Sequence, residues 1–83
     1  MKQKIINFIE ANGWIFNGDD SVGEYQSFVK TGCYDIDVGN TEFVMVDETG
    51  DFMHVSYSAY SHYTLLGFLI HYNQITMGYN YPA

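Results

Sequence analysis

The stretch "YDIDVGNTEFVMVDETGDFMHVSY", residues 34–57, alternates apolar and polar side chains and is broken at Gly39-Asn40 and again around Gly50. Alternation with a period of two, punctuated by turn residues, is the pattern of antiparallel strands joined by hairpins. Strands are expected over 34–38, 41–47 and 51–57. The same stretch carries six carboxylates, Asp35, Asp37, Glu42, Asp47, Glu48 and Asp51, and neither lysine nor arginine. It therefore decides both the fold and the character of the surface.

Reading outward, "EYQSFVKT" (24–31) leads into Gly32-Cys33 and adds a further strand before the quoted stretch. Gly32-Cys33 and Gly39-Asn40 both have the Gly-X form of a two-residue type II′ turn. As such, the first sets Lys30 opposite Asp35 and Val29 opposite Ile36. The second sets Asp37 opposite Glu42 and Ile36 opposite Phe43. A three-residue loop with Gly50 in a left-handed conformation sets Met45 opposite Met53 and Phe43 opposite Val55. One face then gathers Tyr25, Val29, Tyr34, Ile36, Val38, Phe43, Met45, Met53, Val55 and Tyr57. A slip of one residue in any hairpin would scatter that set over both faces.

In this register the opposite face carries Asp35, Asp37 and Glu42 beside Phe28, Val44, Val46 and Phe52, with His54 nearby. Asp37 directly across from Glu42 would cost up to about 1 kcal/mol, as like charges do when opposed in a sheet. Lys30, across from Asp35, is the one cation expected to offset them.

Ile5, Ile6, Phe8 and Ile9 recur at helical spacing, and "EANGW" stops the pattern, so a helix is expected over 2–12 with Trp14 packing back on its last turn. "WIF" reads as a short strand and "NGDDSVG" as turn chemistry throughout. A second helix follows Ser58, with Ser61 as its cap and Leu65, Leu66, Phe68, Leu69, Tyr72 and Ile75 as its apolar face. The fold class is α+β: a four- to five-stranded antiparallel meander, with an N-terminal and a C-terminal helix packed on one face. Residues 1–83 form one small domain.

Ten carboxylates against three lysines, Lys2, Lys4 and Lys30, give a formal charge of −7. That balance opposes direct binding to nucleic acid, which needs clustered basic residues, and adsorption to anionic membranes. It favours a protein partner with a basic surface. The hydrophobic content of 47% and aromatic content of 18% separate the chain from acidic disordered sequences. A lone cysteine, Cys33, and the absence of a signal-peptide pattern lead to a cytoplasmic expectation.

Little suggests catalysis. His54, His62 and His71 show no zinc spacing, and no cofactor is expected. The acids of "NGDDSVGE" lack the alternation of a calcium loop. Cys33 has no cation close in sequence to lower its pKa. The chain is read as a non-enzyme.

"IINFIEANGW" looks like the opening helix and glycine stop of the small HicA-type mRNA-interferase toxins. The likeness covers the first dozen or so residues. Those toxins are basic and carry a Gly-Ser-His-His-like stretch where this chain has Gly-Asp-Asp and "GEYQSF", so it reports helix capping and carries no active site across. In size, charge and compactness the chain is similar to small acidic proteins of phages and mobile elements, including anti-CRISPR and anti-restriction inhibitors. Such a resemblance implies an inhibitor of a nuclease or CRISPR effector. Asp35, Asp37, Glu42, Asp47, Glu48 and Asp51 would stand in for phosphates, and Phe28 and Phe52 would supply buried contact. Alternate strand residues lie roughly 6.7 Å apart, comparable to successive phosphates. A homodimer formed through the apolar half of the same face is the competing expectation.

Overall fold

The structure, a computed structural model, describes residues 1–47, 50–57, 62–71 and 74, without the side chains of 20, 51, 52, 62–64 and 68. Its elements are α1 (Lys2–Ala11), β1 (Ile15–Val22), β2 (Tyr25–Val29), β3 (Asp35–Val38), β4 (Glu42–Asp47), β5 (Gly50–Ser56) and α2 (His62–His71). The five strands form one antiparallel sheet in the order β1-β2-β3-β4-β5, so every neighbour in space is a neighbour in sequence. Ser61, Tyr72 and Ile75, expected to cap and extend the second helix, lie outside the described residues.

α1 forms because Ile5, Ile6, Phe8 and Ile9 fall on one stripe, and all four are buried. It ends as expected: the N–H of Trp14 donates to Ile9 O and that of Gly13 to Glu10 O, with Gly13 at φ +103°. This paired closure is a Schellman motif, which satisfies carbonyls the helix would otherwise leave bare. Trp14 is thereby folded into the core, where its indole N–H donates to Tyr34 O at 2.9 Å. A buried indole without that partner would be costly.

One continuous cluster joins α1, the sheet and α2: Ile5, Phe8, Ile9 and Trp14 with Phe28, Ile36, Val38, Phe43, Met45, Leu65 and Leu69. Each large side chain so buried contributes about 1.5–3 kcal/mol. Met53, Val55 and Tyr57 pack at its margin. Phe43 pairs with Val55 and Met45 with Met53, as the alternation predicts.

Two registers differ from expectation. The β2–β3 ladder pairs Gln26 with Val38, Ser27 with Asp37 and Phe28 with Ile36, so it centres on Gly32 itself. Cys33 N donates to Lys30 O, and Gly32 has φ +77°. That is the arrangement of a type II turn, with glycine third of four rather than second. The one-residue shift exchanges the faces of β2: Phe28 joins the core at 2% exposure, and Tyr25 and Val29 move to the far side.

The β3–β4 ladder pairs Ile36 with Met45, Asp37 with Val44 and Val38 with Phe43. It is displaced by two residues, which preserves the faces but separates Asp37 from Glu42. Gly39 is not in the left-handed region, so no type II′ turn starts there. Its lack of a side chain serves packing instead. A Cβ at Gly39 would lie 2.7 Å from Cε1 of Tyr25, inside any real contact.

"NGDDSVG" is also corrected, because Asn17–Val22 continue β1 and only Gly23-Glu24 turn. Between Asn17 and Val22 the register with β2 shifts. Ser21 stitches the irregularity: its hydroxyl donates to Asn17 O and accepts from Ser27 N.

Candidate functional site

The sequence places its candidates on the sheet face turned away from the core, and β3 confirms part of that placement. Ile36 and Val38 are fully buried, so Asp35 and Asp37, which alternate with them, share the second face. Glu42 joins them from β4, two residues before Val44 and opposite Ser56. Asp37 stands between Ser27 and Val44 in the ladder, so the opposition of Asp37 to Glu42 is absent.

The apolar half of the face is reduced among the described residues, with Val46, opposite Asp35, half-buried. Phe28 belongs to the core, and Val44, between Asp37 and His54 in the ladder, is 4% exposed. Phe52 sits where the β4–β5 register shifts between Met45 and Val46, and its side chain lies outside the described residues. Asp47 and Asp51 end up in strands rather than a loop: Asp47 pairs with Gly50, and Asp51 with Val46. Glu48 and the side chain of Asp51 are outside the described residues. Asp47 lines a half-open cleft of about 430 Å³ with Gly32, Cys33, Tyr34, Asp35 and Val46.

Glu42 is the best-defined acid. Its Oε1 accepts a hydrogen bond of 2.8 Å from the Tyr25 hydroxyl and lies 3.4 Å from Nδ1 of His54. The bond from Tyr25, followed by that from His54, holds the Glu42 carboxyl below its ordinary range, and Glu42 in return raises the Tyr25 phenol. Close by, the Tyr57 hydroxyl donates to Gly39 O at 2.7 Å. Burial first, then the charge of Glu42, pushes the Tyr57 phenol up to about 12. The two-residue reading of Gly32-Cys33 puts Tyr25 on the core face, so this cluster is not legible in the sequence.

The lysines are the informative counterpart. Lys2 and Lys4 lie on α1, with the Lys2 ammonium donating to Glu24 O and Asn40 Oδ1. Lys30, expected opposite Asp35, instead reaches the end of α1: its Nζ donates to Asn12 O at 2.7 Å and sits 4.7 Å from the centre of the Trp14 ring. A helix C-terminus and an aromatic face both attract a cation. All three lysines are thus drawn to α1 or the residues it touches.

Among the described residues no group of His, Cys, Asp and Glu side chains is arranged to hold a metal ion, and no helix is long and apolar enough to cross a membrane. Comparison with protein families, with curated proteins and with solved structures finds no match to this chain.

Proposed function

We propose that this protein is a non-enzymatic inhibitor of the anti-defence type, such as an anti-CRISPR or anti-restriction protein. It occupies a basic nucleic-acid-binding surface of a nuclease or CRISPR effector in the cytoplasm. Both helices cover one side of the sheet, and the other side meets the partner. The observation that carries this proposal is the segregation of charge. Asp35, Asp37 and Glu42 share one sheet face, while the three lysines are held at α1 and the turns near it. A surface acidic in one direction is attracted to a basic groove over roughly a Debye length, about 8 Å at physiological salt.

The homodimer alternative loses much of its footing, because two of its four contact residues, Phe28 and Val44, are buried within the chain. Phe28, buried in the core, leaves the set of site residues; Asp35 and Asp37 form the centre and Glu42 the flank, where its bonds to Tyr25 and His54 fix its orientation.

The test is DNA cleavage by a panel of CRISPR effectors and restriction endonucleases with and without the protein. Inhibition of one of them is expected, relieved by added salt and by competing non-cleavable DNA. Asp35→Asn with Asp37→Asn should weaken that inhibition at least tenfold while circular dichroism stays native. Equal inhibition by the folded double variant, or none anywhere in the panel, overturns the proposal.

A further inference from the structure

Among the described residues β1 is an edge strand, and it carries their most exposed large apolar side chains: Ile15 at 69%, Phe16 at 51% and Val22 at 74%. An open, apolar sheet edge is a template for another strand unless it is blunted. Here blunting is partial. The register with β2 shifts beyond Asn17, where Asp19 N donates to the Asn17 side chain. Ile15 and Phe16 lie before that irregularity.

The ladder indicates which backbone groups remain available. Ser27 N points at β1, where the Ser21 hydroxyl, bonded onward to Asn17 O, receives it. Asn17 is the residue opposite Ser27, so its own N–H and C=O are directed toward β2. By alternation, the N–H and C=O of Phe16 are directed outward. The Phe16 ring is braced against Phe28 at 5.7 Å and lies over Gly18, so its exposed part is presented in a fixed orientation.

We infer that the edge of β1 around Phe16 docks an extended segment of a basic protein by strand addition. Backbone pairing at Phe16 supplies affinity; its side chain, on the core face beside Phe28, meets the apolar residues of the added strand, and Ile15, on the opposite face, lies along the stems of its lysines. Charge selects the occupant. Exposed Asp19 lies on β1, the chain carries −7, and two of its three lysines are engaged elsewhere, Lys30 at Asn12 and Trp14 and Lys2 at Glu24 O and Asn40. A second copy of this chain would bring like charges together, whereas a lysine-rich strand would neutralise them. This inference shares with the proposed function a basic protein partner, but it uses a different part of the molecule.

The probe is a capped peptide of alternating lysine and valine, titrated into the isotopically labelled full chain and followed by amide shifts and hydrogen exchange. Perturbation and protection should centre on Ile15, Phe16 and Asn17. The same peptide with a backbone N-methyl group at its central valine, and Phe16→Ser in the protein, should each bind at least tenfold more weakly. Asp35→Asn with Asp37→Asn should leave this binding within twofold. Perturbation confined to Asp35 and Asp37 would overturn the inference and leave the inhibitor proposal standing. Equal binding of a glutamate-for-lysine peptide, or pairing of β1 with itself in the absence of peptide, would also overturn it.

Discussion

Gly32-Cys33 and Gly39-Asn40 look alike as dipeptides, yet their glycines serve different ends. At the first, glycine adopts a left-handed backbone, and the turn is held by main-chain geometry, with Cys33 N on Lys30 O. At the second, glycine makes room for the Tyr25 ring; the main chain again closes the turn, with Gly39 N on Glu42 O, and side chains from elsewhere clasp it further: Tyr57 on Gly39 O and Lys2 on Asn40. The consequences differ as well. An odd displacement at the first turn moves Phe28 into the core and Val29 out of it, while an even displacement at the second leaves every face as it was. Parity matters more than distance in such a sheet.

The sharpest way to break this comparison is to ask which neighbour is inside. Phe28→Ala should cost about 3–5 kcal/mol in chemical denaturation, the range for emptying a buried aromatic site. Val29→Ala should cost under about 1 kcal/mol, as at a half-covered strand position. The reverse order would restore the two-residue reading of Gly32-Cys33.

Smaller effects should distinguish the two glycines. Gly39→Ala is expected to cost about 1–3 kcal/mol by overpacking against Tyr25. Gly32→Ala, with nothing near its Cβ but φ at +77°, should cost about 1–2 kcal/mol from backbone strain. Combining each with Tyr25→Ala sharpens the contrast. The Gly39 penalty should largely vanish in the double variant, and the Gly32 penalty should add unchanged.

The smallest effect is one of pH, and it belongs to the second turn. The Tyr57 phenol titrates higher in the folded protein, at about 12, than the ordinary 10 of an exposed tyrosine. Its contribution to stability is therefore complete below pH 10 and disappears as pH rises toward 12. The Glu42 carboxyl is lowered in the fold, so its contribution is present above the ordinary carboxylate range and is lost as pH falls through the lowered value. Thermal melts should show Tyr57→Phe flattening the alkaline limb and Glu42→Gln the acid limb. An unchanged limb in either variant would remove that clasp from the account.

Much of the architecture was legible in residues 34–57, because alternation marks strands and Gly50 marks the last hairpin whatever the exact loop. The stop of α1 at Gly13 was equally plain. The β2 face was not, since Gly at the second or third place of a turn leaves the same dipeptide in the sequence while changing the parity of what it joins. β1 was hidden for a related reason. Its middle residues are turn formers by composition, and only the insertion of the Ser21 hydroxyl into the ladder lets them continue as a strand. For the site, the shared face of Asp35 and Asp37 followed directly from alternation within β3. The partnership of Glu42 with Tyr25 depended on the parity of β2 and could not be foreseen, nor could the capture of Lys30 by the end of α1.

The strictly sequential order of the five strands also has a kinetic meaning. Each strand meets its partner after a short excursion of chain, so loop-closure entropy stays small and topology favours rapid assembly. During synthesis β1 and β2 can zip as soon as both have left the ribosome. α1, which precedes the sheet, gains full cover for its isoleucines only when the later strands and α2 have joined the same cluster.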